Sequence, residues 1–159
     1  MNLIYKKADM NNIDDLVDLK IKQNIFNYNK EGLVIENESI VRQNIKKILL
    51  QELNKTIYFF IAVDKNNNKV VACNGVIIHQ MVPSDEFLNG KKAYITSVYT
   101  EEDYRCNGIQ NTLMQMVLNF LEEIECRKIE LDADNPHAIK LYEKFGFKKD
   151  YEKYVLIKQ

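Results

Sequence analysis

Between residues 93 and 124 the chain changes its period once. Ala93-Tyr94-Ile95-Thr96-Ser97-Val98-Tyr99-Thr100 is β-branched and aromatic, the composition of a strand. After a polar stretch, Ile109, Leu113, Met116, Val117, Phe120, Leu121 and Ile124 recur at helical spacing, the cleanest periodic signal in the sequence. A strand that passes through a polar turn into a long one-sided helix calls for a sheet with helices packed on it. The turn carries Gly108, one of only five glycines in 159 residues. Two readings of it stand side by side. Asn107 can cap the helix with its side chain, or the bare backbone at Gly108 lets an anion reach the positive end of the helix.

The flanking segments supply the rest of an α/β domain. Leu3-Ile4-Tyr5 reads as a short strand, and Asp9 to Asn12 as polar helix starters. Ile13, Leu16, Val17, Ile21, Ile25 and Tyr28 mark a first helix, which Gly32 breaks, and Glu38 to Leu53 a second. Residues 56–63 and 70–78 are two buried-type strands joined by an Asn-rich turn, a hairpin pattern. Met81 to Lys92 reads as a loop. Lys128 to Asp132 is a short strand, and Asn135-Pro136 a cap and first turn for a short helix that Gly146 ends. Tyr151 to Lys158 is expected as a last strand, alternating enough to leave a homodimer through it open. Residues 1–159 read as one domain.

Composition removes several function classes. A formal net charge of -1 gives no electrostatic reason to bind nucleic acid. No apolar run approaches membrane-spanning length, and the N-terminus lacks the apolar core of a signal peptide. Cys73, Cys106 and Cys126 lie far apart, and with two histidines they form no metal or redox pattern. The expectation is a cytoplasmic protein with free thiols, no metal, and no membrane or nucleic-acid partner.

Arg105-Cys106-Asn107-Gly108 between a strand and a helix start is a credible diphosphate cradle. It is no Walker loop, because no Gly-Lys-Ser/Thr follows, and it lacks the three glycines of a dinucleotide fingerprint. The stretch from Val98-Tyr99-Thr100 through Arg105-Cys106-Asn107-Gly108-Ile109-Gln110-Asn111 resembles the acetyl-CoA signature of the GNAT acetyltransferase superfamily, Gln/Arg-x-x-Gly-x-Gly/Ala after a strand and before a long helix. A second stretch, Asn135-Pro136-His137-Ala138-Ile139-Lys140-Leu141-Tyr142-Glu143-Lys144-Phe145-Gly146-Phe147, is similar to the family's Asn-x-x-Ala-x-x-Leu-Tyr-x-x-x-Gly-Phe. Gln110 departs from the pattern, standing where the family has a second small residue.

The resemblance implies a mixed, mostly antiparallel twisted sheet flanked by helices, and direct transfer of acetyl from acetyl-CoA to a primary amine. It implies that Val98, Tyr99 and Thr100 meet the pantetheine arm, with an N–H near Val98 as oxyanion donor. The backbone from Arg105 to Asn111 would hold the diphosphate, Asn135 would lie beside the thioester, and Tyr142 would donate to the departing thiolate. Cys106 is read as a spectator. For the proton leaving the amine, Thr96 and Ser97 could order water, and Asp85, Glu86 and His79 are candidate bases. The first two helices and the loop at 81–92 would frame the acceptor, with Phe26, Tyr28, Glu31, Glu36 and Asp85. A small-molecule amine is favoured over a peptide or protein amine. The competing readings are a CoA-sensing module without catalysis, for which Gln110 and the missing base argue, and a nucleotide-phosphate binder, against which the missing lysine argues.

Overall fold

The computed structural model describes residues 1–150 and 154–158. Its elements run β1 (Leu3–Lys7), α1 (Ile13–Lys30), α2 (Glu38–Glu52), β2 (Ile57–Asp64), β3 (Lys69–Gln80), β4 (Lys91–Thr100), α3 (Ile109–Glu123), β5 (Lys128–Leu131) and α4 (Pro136–Lys144). The five strands form one sheet in sequence order. β1 to β4 pair antiparallel, and β5 joins β4 in parallel.

Local chemistry explains the element ends. Asp9 accepts from the Asn11 amide while its own amide donates to Asn12 Oδ1, fixing the turn that leads into α1. In the β2–β3 turn the Asp64 carbonyl receives the Asn67 and Asn68 amides. Asn135 Oδ1 accepts from the His137 amide at 3.0 Å and Pro136 occupies the first turn of α4, as the sequence predicts.

Two apolar layers sandwich the sheet. On one face α3 buries Ile109, Leu113, Met114, Val117 and Leu121 against Phe60, Ala72, Val76 and Ile95. Each such side chain contributes about 1.5–3 kcal/mol by leaving water. Met114, absent from the predicted stripe, is fully buried, while Met116, Phe120 and Ile124 are only partly covered. On the other face α1 and α2 place Leu16, Leu19 and Leu49 over Phe59, Ile61 and Cys73.

Three expectations shift. β4 begins at Lys91, so the preceding loop is shorter than predicted. Tyr154–Lys158 is exposed and forms no strand, and residues 151–153 of the expected last strand lie outside the described residues. The β3–β4 ladder shifts register between Cys73 and Gly75, beside Ser97, which adopts φ 54°. The β4–β5 pairing stops at Ile95–Leu131, where β5 itself ends, just before Ser97.

Asn74, fully buried at the bulge, has no hydrogen-bond partner at either amide atom. Such a group costs about 1–3 kcal/mol. Asn74→Leu, near-isosteric and apolar, is expected to raise the unfolding free energy by about that amount, read from the denaturant midpoint at unchanged m-value.

Candidate active site

A cleft of about 780 Å³ opens at the end of β4 where β5 has stopped. Its walls come from α1, the loop before α3, residues 132–135 and α4. The sequence-predicted Val98, Tyr99, Thr100, Arg105, Cys106, Gly108, Ile109, Gln110, Asn111, Asn135 and Tyr142 all border it; Asn107 does not.

The glycine question resolves in the loop. Gly108, at φ 72°, is itself the N-cap of α3, and no side chain caps the helix. Asn107, expected as that cap, instead donates its side-chain amide to the Tyr104 and Arg105 carbonyls at 3.2 and 2.8 Å. The left-handed turns at Cys106 and Gly108 carry the Asn107 side chain back toward the preceding turn. Among the described residues, Asn111 and Thr112 are the first amides of α3 with a backbone acceptor, both on the Gly108 carbonyl. A Cβ added at Gly108 would meet nothing nearer than Asn111 Nδ2 at 4.0 Å. A positive helix end thus faces open space.

Cations border that space. Arg105 gives Nε–H to the Thr100 carbonyl at 3.0 Å, and its guanidinium lies over Phe26 (4.8 Å) and Tyr99 (5.8 Å). Lys144 reaches Asn111 Oδ1 at 2.8 Å.

Gln110 is turned away from the cradle. Its Nε2 donates to the Cys73 carbonyl (3.1 Å), the Tyr99 carbonyl (3.0 Å) and Thr100 Oγ1 (3.0 Å), beneath the bulge. The long side chain therefore leaves the approach to the helix end free. On the other face of the sheet, Gln23 Nε2 donates to the Val98 carbonyl at 3.2 Å.

Tyr142 is buried except where it borders the cleft, and its ring meets Phe147 at 6.1 Å. Its hydroxyl has no hydrogen-bond partner among the described residues. Burial, then the charge of Asp134, pushes its phenol above the usual range, so it stays protonated and able to donate at neutral pH.

The candidate bases separate. Thr96 and Ser97 border the cleft, but Asp85, Glu86 and His79 do not. Glu86 is instead paired with Lys128 at 2.7 Å, because the loop that carries it sits at the opposite end of β4. Of the expected acceptor frame, Phe26 lines the cleft, and Tyr28, Glu31, Glu36 and Asp85 do not. The periodicity did not single out Lys20, Gln23, Tyr94, Asp132 or Asp134, all of which do. Lys20 had one visible signal: it falls on the Ile13, Leu16, Val17, Ile21 stripe, where a lysine is out of place. Tyr94 donates to Asp132 at 2.7 Å, and burial followed by that carboxylate pushes its hydroxyl up to about 12. Among the described residues no cluster of His, Cys, Asp and Glu could hold a metal, and no helix is long and apolar enough to cross a membrane.

The sequence profile of the acetyltransferase (GNAT) family matches residues 19–147. The chain belongs to the GNAT acetyltransferase family. Among curated proteins none matches this GNAT chain in sequence. Among solved structures, a predicted acetyltransferase from Clostridium acetobutylicum, crystallised with acetyl-CoA, is 29% identical with a TM-score of 0.79, covering 98% of this chain and 96% of that one. A GCN5-related N-acetyltransferase from Ralstonia eutropha superposes at TM-score 0.82 with 16% identity over 98% and 99% of the two chains. A possible acetyltransferase from Clostridium difficile gives 0.77 and 23% over 100% and 99%. Both of these share the GNAT fold.

Gln110→Ala removes the donor that three acceptors share, and is expected to lower unfolding free energy by about 1–3 kcal/mol. Gln110→Glu places a carboxylate against the same oxygens. Its loss should exceed that of alanine and deepen from pH 5 to pH 8, since the folded protein favours the protonated acid. Denaturant titrations at the two pH values measure both.

Proposed function

We propose that the chain is an acetyl-CoA-dependent N-acetyltransferase that passes acetyl directly to a primary amine of a small molecule. The observation that carries this reading is one cleft uniting the Gly108 cradle, the β4 edge at Val98–Thr100 and the unpartnered Tyr142 hydroxyl. The family match and the relative crystallised with acetyl-CoA support the choice of acyl donor.

The residues present fit that donor. The uncapped amides of α3, with Arg105 and Lys144 nearby, suit a diphosphate. The β4 edge beyond Ile95, unpaired with β5, leaves outward N–H groups for the carbonyls of an extended amide arm, the Val98 and Thr100 carbonyls being held by Gln23 and Arg105. Bound acetyl-CoA supplies a thioester carbonyl open to attack by an amine. In this reading the Val98 amide, turned by the bulge at Ser97, stabilises negative charge on the carbonyl oxygen. Asn135, its Oδ1 engaged in capping, lines the wall beside it.

Tyr142 donates to the leaving sulfur. An ordinary phenol is about 1.5 pH units less acidic than an ordinary thiol, a deficit of about 2 kcal/mol for complete transfer. The upward shift at Tyr142 widens it. Hydrogen-bond stabilisation of the thiolate is therefore the role assigned, with the proton following as charge develops. The acceptor's proton is assigned to the cleft carboxylates Asp132 and Asp134, in place of Asp85, Glu86 and His79. The objection from Gln110, which favoured a sensing module without catalysis, loses force because its side chain lies under the strand.

Acetyl-CoA and CoA are expected to raise the melting temperature while ATP does not, and an amine panel should give amine-dependent thiol release. Tyr142→Phe should lower kcat by about 100-fold or more with acetyl-CoA affinity unchanged. An unchanged kcat removes the role given to Tyr142. Tight CoA binding without thiol release on any amine restores the sensing module.

A further inference from the structure

Lys20 is a cation in the cleft wall without an ion-pair partner among the described residues. It is half-buried on α1 and gives one ammonium hydrogen to Gln23 Oε1 at 3.0 Å. Among the described residues no carboxylate pairs with it. Three other cations on α1 and α2 are matched: Lys22 with Glu101, Arg42 with Asp18 and Glu38, Lys46 with Asp14. The titratable group acting on Lys20 is the Cys73 thiol, which burial pushes up to about 12 and so keeps uncharged. Burial pulls the Lys20 ammonium below the usual lysine range. An ammonium has three donors, and two remain for something in the cleft.

The course of α1 over β4 locates that something. Gln23 touches the Val98 carbonyl, and one turn on, Phe26 stacks on Arg105. Lys20 lies one turn the other way, about 9 Å along the axis from the Phe26 level. It is thus set back from the Arg105 loop, toward the bulge at Ser97. An anion meeting Lys20 is not the diphosphate held at Gly108. It belongs to the molecule that occupies the bulge end of the cleft. Asp132 and Asp134, between β5 and α4, line the same cleft, so one cavity is bordered by a cation on α1 and by acids from another element.

We propose that Lys20 determines acceptor specificity by anchoring a carboxylate, so that the amine acetylated is a small amino acid or another amine-bearing acid. The inference rests on the acetyltransferase reading. Lys20 grips the acid group, Gln23 holds the ammonium in place through its Oε1, and the acceptor's amine is left for the thioester and the acids of the cleft.

The test uses matched acceptors with the full chain and acetyl-CoA: glycine and glycinamide, lysine and cadaverine, phenylalanine and phenethylamine. The carboxylated member of at least one pair should have kcat/KM about 10-fold or more above its partner, the worth of one charged hydrogen bond. Lys20→Gln should erase the preference by lowering only the carboxylated member, and Lys20→Arg should keep part of it. Preference for the members without a carboxylate, or an equal fall on both in Lys20→Gln, overturns the proposal. A second measurement reads binding without turnover. Protein saturated with CoA should melt higher with the carboxylated compounds than with their partners, and Lys20→Gln should abolish the difference. Intact CoA stabilisation with no carboxylate-dependent turnover or melting shift overturns the role of Lys20 alone. Absence of any CoA stabilisation overturns the acetyltransferase reading and this proposal with it.

Discussion

Three successive carbonyls at the end of β4 are each held by a side chain from a different element. Gln23 of α1 takes Val98, Gln110 of α3 takes Tyr99, and Arg105 of the connecting loop takes Thr100. This segment runs past the last β4–β5 pair at Ile95–Leu131, and buried strand carbonyls need partners. Side chains supply them where a neighbouring strand does not. Both helical layers are thereby tied to the same three residues. Every feature of the cleft, from the Gly108 cradle to the Tyr142 hydroxyl, is placed relative to that tethered strand end.

Charge is sorted by location. Lys22, Arg42 and Lys46 of α1 and α2 sit in ion pairs, which at a surface contribute about 0–1 kcal/mol each. The cations bordering the cleft, Lys20, Lys30 and Arg105, pair with no carboxylate among the described residues, and Lys30 and Arg105 lie over the Phe26 ring. The formal charge of -1 conceals this division. Neutrality overall coexists with a cleft whose α1 wall is cationic.

Local signals made most of the fold legible. The switch from strand to helix around Gly108, the Asn135-Pro136 start of α4 and the two stretches resembling the GNAT signatures each depend on neighbours in sequence, and the element order they gave agrees with the structure through α4. The failures are matters of geometry at a distance. Asn107 had the chemistry of a cap, but the left-handed turns at Cys106 and Gly108 direct its amide to the preceding turn. Asp85, Glu86 and His79 had the chemistry of bases, but lie toward the start of β4 while the cleft opens at its end. Gln110 read as an obstacle because a residue letter carries no direction; its path under the strand depends on a bulge that no local pattern announced. Lys20 on an apolar stripe was the one long-range fact with a local trace.

An unpaired strand edge is usually a hazard, since a second chain can add to it and begin a larger aggregate. β4 past Ile95 has such an edge. The Glu101 amide reaches back to the Val71 carbonyl in β3, so by alternation the Val98 and Thr100 carbonyls point outward along the open side. Those are the two that Gln23 and Arg105 occupy. A passing strand meets acceptors already engaged and a guanidinium in its way. The protein can keep a slot open inside its sheet without displaying a sticky border to its neighbours.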